Sequence, residues 1–226
     1  MTRPLRLIIF DVDGTLIDSQ ASIMGAMQAA FASEGLPTPE RAEVLSIVGL
    51  SLDRAFAQLA AEQTAKRQAR LVQAYKDAFA AQRLDLGASQ AAPLYPGTRD
   101  LLDQLSQIPE NILGIATGKS RRGLDALLDG HDLRGLFSTT QVADHHPSKP
   151  HPSMIEAAMR DVGVDVSDTV MIGDTSFDMD MAASAGVAGI GVTWGYHHRD
   201  ALGAARCVVE DRADIPGALR TIWKTP

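Results

Sequence analysis

The chain has 226 residues, 45% of them hydrophobic, enough to bury one sizeable core or one core with a small second domain. A formal net charge of −7 disfavours a polyanion such as nucleic acid as the main partner, and one cysteine, Cys207, excludes an intrachain disulfide. The N-terminal apolar run is cut short by Asp11, which fits neither a signal peptide nor a membrane span, so the expected location is cytoplasmic.

In chain order, Leu7-Ile8-Ile9-Phe10 reads as a buried strand that runs into Asp11-Val12-Asp13-Gly14-Thr15. Two carboxylates one residue apart at a strand end repel each other unless a cation or a shared proton relieves them. From about residue 20 to 90 the pattern is helical. Ile23, Met24, Met27 and Phe31 share one face, Leu52, Ala55, Phe56 and Leu59 a second, and Leu71, Tyr75, Ala78 and Phe79 a third. The expectation is an all-helical insert over 17–93, bounded by Gly14-Thr15 and by Pro93-Leu94-Tyr95-Pro96-Gly97, with core segments 1–16 and 94–226 on either side. Because the insert leaves the first strand at its charged end, it is expected to be a mobile cap.

From Asn111 short apolar runs alternate with helical stripes. Ile112 to Ala116, Phe137 to Val142, Thr169 to Gly173, Val187 to Val192 and Cys207 to Val209 read as strands. Between them Leu124, Leu127 and Leu128 stripe one helix, Met154, Ile155, Ala158, Met159 and Val162 another, and Ser176 to Ala185 a third. Cys207 lies in an apolar stretch and reads as an inert packed thiol. This alternation predicts an α/β fold, a doubly wound, Rossmann-like parallel sheet with ligands at the carboxyl ends of its strands. Asp11, Thr117 and Asp174 all fall at such ends.

Polar clusters follow three of the strands: Thr117-Gly118-Lys119-Ser120, the histidine- and proline-rich run from His145 to Pro152 around Lys149, and Gly173-Asp174-Thr175-Ser176-Phe177-Asp178. Prolines on either side of Lys149 fix its loop and deliver its charge to a defined place. His145, His146 and His151 lack the cysteine or carboxylate framework of a zinc site. His197 and His198, after Trp194-Gly195-Tyr196, read as polar loop residues.

Taken together, Asp11-Val12-Asp13-Gly14-Thr15, Thr117, Lys149 and Gly173-Asp174 with Asp178 resemble the four successive motifs of the haloacid dehalogenase-like hydrolases, in the branch similar to phosphoglycolate phosphatases. The resemblance covers residue 5 to about 195, with the helical insert where that branch has its cap. It implies a phosphatase acting on a small phosphorylated metabolite, phosphoglycolate among the candidates, through an aspartyl-phosphate. Asp11 would be the nucleophile and Asp13 the acid-base partner. Thr117 and amides near Gly118 and Asp13 would hold phosphate oxygens, and Lys149 would supply a cation to phosphate and nucleophile.

The cofactor implied is Mg²⁺, held by Asp11, Asp174 and the main-chain carbonyl of Asp13, with Asp178 acting through water or from behind the ligands. The acid at Asp13 makes dehalogenation unexpected, since dehalogenases of the superfamily lack it. Many relatives have Asn where Gly118 stands, so here only the amide is offered. In Val48-Gly49-Leu50-Ser51-Leu52-Asp53-Arg54, Arg54 is a candidate for a substrate carboxylate or second phosphate, with a solvated helical arginine as the alternative. A phosphosugar mutase similar to β-phosphoglucomutase, a pyrophosphatase, a phosphoaspartate switch and a phospho-ligand-binding module stay open, as do monomer and homodimer.

Overall fold

In the computed structural model, which describes residues 4–224, the side chains of β1 (Arg6–Phe10) alternate between two buried faces. The outermost positions of the expected core segments, 1–3 and 225–226, lie outside the described residues. Five helices follow: α1 (Gln20–Ser33), α2 (Arg41–Ser46), α3 (Leu52–Leu59), α4 (Ala65–Leu86) and α5 (Ala88–Ala91). Then come α6 (Thr98–Ser106), β2 (Asn111–Thr117), α7 (Arg121–Gly130), β3 (Thr139–Val142) and α8 (Ser153–Val162). The chain ends with β4 (Thr169–Gly173), α9 (Ser176–Ala185), β5 (Ala188–Val192), β6 (Cys207–Val209) and α10 (Ile215–Ile222).

The six strands form one parallel sheet in the order β3-β2-β1-β4-β5-β6. Ile8 and Phe10 join Leu113, Ile115, Val170 and Ile172 on one face, packed against α6, α7 and α10, whereas Leu7, Ile9, Ala116 and Met171 pack against α8 and α9. A strand apolar on both sides is what a parallel sheet covered on both faces requires. Helices α6 and α10 add to those that the periodicity singles out. Phe137 lies outside the ladder of β3, after a short turn at Arg134–Leu136, and its ring packs into the core instead. Among the described residues no helix is long and apolar enough to cross a membrane.

The order of the strands is what builds the site. Phe10 is in register with Ile115 of β2 and with Ile172 of β4, so the residues just beyond β1, β2 and β4 emerge side by side. Successive strands are added outward in opposite directions from β1, and the crevice at this switch point is where a ligand is expected.

The helices between β1 and α6 have their own apolar centre. Phe31 stacks on Phe56, the edge of which meets Tyr75, and Tyr75 in turn packs on Phe79. Two chain crossings tie this insert to the sheet, and they are hydrogen-bonded to each other: Asp18 donates to the Pro93 carbonyl at 2.9 Å and Tyr95 to the Leu16 carbonyl at 3.1 Å. Ile17 bridges to both Asp13 and Leu94.

Because the insert's core is separate, damage to it should stay local. Phe56→Ala should cost about 3–5 kcal/mol. Hydrogen exchange followed by mass spectrometry should then show lost protection in α1, α3 and α4 before β1 and β4. Equal loss in both regions would mean that sheet and insert open as one unit.

Candidate active site

Asp11 follows β1 and is almost fully buried. Its Oδ1 accepts a 2.6 Å hydrogen bond from Lys149 Nζ, while its buried Oδ2 has no partner. Lys149 is equally buried, and its second bond runs at 2.6 Å to Asp178 Oδ1. The other oxygen of Asp178 accepts from the amide and hydroxyl of Thr175, closing a capping box at the start of α9. Both oxygens of Asp178 are thus engaged, which suits an indirect role.

Asp174, beyond β4, accepts from the Thr15 hydroxyl at 2.9 Å and the Tyr196 amide at 2.8 Å. Gly14, with φ of +83°, lies so close that a Cβ there would run into the Asp174 carboxylate. Only glycine meets both demands.

Carboxylate oxygens of Asp11, Asp174 and Asp178 all lie within 4.8 Å of one another. Three buried carboxylates against one ammonium leave two negative charges uncompensated. Burial therefore pushes the Asp11 carboxyl up to about 7, against the lowering pull of Lys149 and with further repulsion from Asp178 and Asp13. Asp174 is raised well above the ordinary carboxylate range by burial, then by Asp11 and Asp178. Burial works against the charged form of Lys149, but Asp11 and Asp178 outweigh it and hold the ammonium above its ordinary range. An all-oxygen set with two surplus negative charges and one unpartnered buried oxygen suits a hard divalent cation.

Asp13 faces a different environment. Its Oδ1 accepts from Lys119 Nζ at 2.8 Å and from the Ser19 hydroxyl, which also meets the Tyr196 hydroxyl at 3.0 Å. Ser19 stands at the N-cap of α1 yet makes no side-chain cap, having given its hydroxyl to Asp13. The Lys119 ammonium also lies 5.0 Å from the centre of the Phe79 ring. The motif residues alone do not single out Ser19, Lys119 and Tyr196. A serine in the N-cap position and a lysine directly after Thr117-Gly118 are the only signals the sequence carries for them.

Thr117 is buried at the end of β2, its hydroxyl accepting from the Lys119 amide at 3.2 Å. At Gly118 a Cβ would come within 2.6 Å of the Gly49 carbonyl and 2.8 Å of that of Leu50. Glycine here admits the insert's 47–50 loop against the sheet. The same loop region is held by the Ser51 amide donating to Ser148 at 2.9 Å and by His197, whose ring joins the Ser176 amide to the Ser46 carbonyl, each at 3.2 Å. His198 is exposed beside Asp200, so the two neighbouring histidines differ in role.

His146 ties Ser153 to Gln141, and among the described residues no histidine belongs to a candidate metal cluster. Cys207 is half-buried, beside the packed core.

The structure brings together Asp11, Asp13, Thr117, Gly118, Lys149, Asp174 and Asp178. It does not bring Arg54 with them. That side chain points from the exposed side of α3, whereas Val48, Gly49, Leu50 and Leu52 of the same stretch line a cavity beside Asp13. Helical periodicity explains the difference, since Ala55 and Phe56 occupy the inward face of α3.

The sequence profile of a family described as haloacid dehalogenase-like hydrolase matches residues 8–192, the stretch that contains all of these groups. The chain belongs to the haloacid dehalogenase-like hydrolases. This hydrolase is 37% identical over 224 residues to the "Probable phosphatase IndB" of Dickeya dadantii, covering 96% of this chain and 95% of the relative. It is 35% identical to the phosphoglycolate phosphatase of Caulobacter vibrioides, covering 95% and 91%. A solved haloacid dehalogenase-like hydrolase from Streptococcus pneumoniae superposes with a TM-score of 0.82 at 25% identity, covering 95% of this chain and 98% of that one.

The charge imbalance has a measurable sign. Asp11 holds its proton more tightly folded than unfolded, so its stabilising contribution is complete below pH 4 or so and is lost as pH rises through about 7. Metal-free protein should therefore melt at a lower temperature at pH 8 than at pH 5. Asp11→Asn should melt above wild type at pH 8, by at least about 3 °C, and Mg²⁺ should stabilise wild type more at pH 8 than at pH 6. A metal-free melting temperature flat across this range in wild type would contradict the charge balance.

Proposed function

We propose that this hydrolase is a magnesium-dependent phosphatase of small phosphomonoesters, working through an aspartyl-phosphate on Asp11. The observation that carries the reading is the pairing of a buried carboxylate with one unpartnered oxygen, Asp11, with a second carboxylate two residues on that lines a cavity. Phosphoglycolate is the candidate that several relatives' names put forward. Doubly charged phosphomonoesters do not cross membranes unaided, which favours the cytoplasm as the place of action.

In this reading Asp11 attacks phosphorus while the bond from phosphorus to the alcohol oxygen breaks. Asp13, protonated at that moment, gives its proton to the departing oxygen. The resulting Asp13 carboxylate then takes a proton from the water that attacks the acyl phosphate, releasing phosphate and restoring both side chains. Lys149 holds the nucleophile and offsets negative charge, and Thr117 with the Gly118 amide receives phosphate oxygens.

Asp11, Asp174 and the Asp13 carbonyl would hold Mg²⁺, with Asp178 behind them. The cation would neutralise charge on the phosphoryl oxygens and the carboxylates. The insert serves as the cap over these groups, and the Asp13 network favours a catalyst over a long-lived phosphoaspartate switch.

The two carboxylates should separate cleanly. Asp11→Asn should form no phosphoenzyme and turn over at background. Asp13→Asn, given acetyl phosphate, which needs little protonation of its leaving group, should accumulate the phosphoenzyme. Loss of acid-base help should slow alkyl phosphates by about 10²–10⁴-fold in that variant. Intact-protein mass spectrometry after an acid quench reads the added phosphoryl mass. Its appearance on Asp11→Asn, or full alkyl phosphatase activity in Asp13→Asn or in excess chelator, would overturn the assignment.

A further inference from the structure

The cavity beside Asp13 has a volume of about 280 Å³ and lies between the insert and the loop after β2. That is room for on the order of nine water molecules, far more than the two-carbon leaving group of phosphoglycolate would fill. Its walls are apolar: Ile23, Met27, Val48, Leu50 and Phe79 line it, all but the last of them buried. Tyr75 also stands on the wall. Its side chain is more than nine-tenths buried, and its hydroxyl makes no hydrogen bond among the described residues.

The cations of the cavity are placed unlike a carboxylate clamp. Lys119, the most buried of them, is already paired with Asp13 at 2.8 Å. Lys76 and Arg122 are exposed, and Arg83 is only half-buried; none of the three has an ion pair among the described residues. This arrangement draws an anionic substrate toward the mouth but offers its leaving group apolar walls and one phenol. Only Lys119 lies deep in the cavity, and it is taken by Asp13; a small, strongly hydrated carboxylate would exchange its water for Lys76, Arg83 and Arg122, cations that are themselves exposed or half-exposed.

We infer that the physiological substrate carries a bulky, largely apolar or ring-shaped alcohol with a polar atom within reach of Tyr75, rather than glycolate. This rests on the phosphatase reading, and the step is the same hydrolysis: water is consumed, the bond from phosphorus to oxygen breaks, and the alcohol leaves with one proton. Asp13, at the boundary between cavity and carboxylate cluster, places that oxygen beside its acid.

Benzyl phosphate and phosphoglycolate separate the two classes, because both release alkyl alcohols and differ mainly in what the cavity must hold. Acetyl phosphate reports the core chemistry independently. With Mg²⁺ present, kcat/KM for benzyl phosphate should exceed that for phosphoglycolate by about 10–200-fold, the range expected for burying one apolar group in such a pocket. Ala80→Phe, or the milder Ala80→Leu, should fill the cavity from α4 and lower that ratio at least about tenfold in protein that still melts cooperatively.

Acetyl phosphate hydrolysis with phosphoglycolate equal to or better than benzyl phosphate would overturn the inference and leave the phosphatase reading standing. So would turnover of acetyl phosphate alone. No turnover of any of the three would overturn the phosphatase reading, and this inference with it.

Discussion

The structure is organised around an electrostatic deficit. One buried ammonium, Lys149, faces Asp11 and Asp178 directly and Asp174 close by, in a place where water cannot screen the excess negative charge. Every nearby element serves to hold these groups despite their repulsion. Parallel strands deliver Asp11 and Asp174 to the same edge, and a capping box pins Asp178. Gly14 lets the backbone wrap around the Asp174 carboxylate where any side chain would collide. A fold that concentrates charge in this way carries repulsion that a bound cation would relieve.

The same economy joins the insert to the chemistry. Asp13 is held by Lys119 from the loop after β2 and by Ser19 from the first turn of α1, and Ser19 is held by Tyr196 from the loop after β5. An N-cap bond is ordinarily worth about 0.5–2 kcal/mol, and α1 forgoes its side-chain cap for this contact. The insert is therefore tied to the site through its entry point, where Ser19 orients the Asp13 carboxylate. Gly118 belongs to the same logic, because a larger residue would hold the 47–50 loop away from the site.

Much of this was legible in the sequence, for a physical reason. The strands of the sheet are buried on both sides, so β1 and β4 are runs of apolar residues that end abruptly in polar ones, and the break marks the site. Asp11, Asp174 and Thr117 stand at such breaks, and Lys149 lies in the proline-bounded loop seven residues beyond the end of β3. Ser19, Lys119 and Tyr196 were not legible because their roles depend on contacts across as many as 177 positions of chain, which no local pattern encodes. Arg54 failed for the opposite reason. Its charge drew attention, but the helical phase that buries Ala55 and Phe56 turns it outward. The two chain crossings at Leu16-Asp18 and Pro93-Tyr95 are hydrogen-bonded to each other, in a stretch rich in proline and glycine.

Conserving the reaction while changing the substrate needs no alteration of the carboxylate cluster. On the reading proposed above, the sheet would fix where phosphorus is attacked and the insert what is attached to it. In this chain the division falls at Asp13, which belongs to the phosphate end by sequence and to the cavity by position. Apolar walls beside Asp13 would have a further consequence on the proposed reading: an alcohol filling them would exclude water from around Asp13, which would strengthen its hydrogen bond to the departing oxygen. A small polar alcohol leaves that water in place. Selectivity for the leaving group and efficiency of proton transfer would then come from the same surface, so that the side chains of the insert would act on the chemical step as well as on binding.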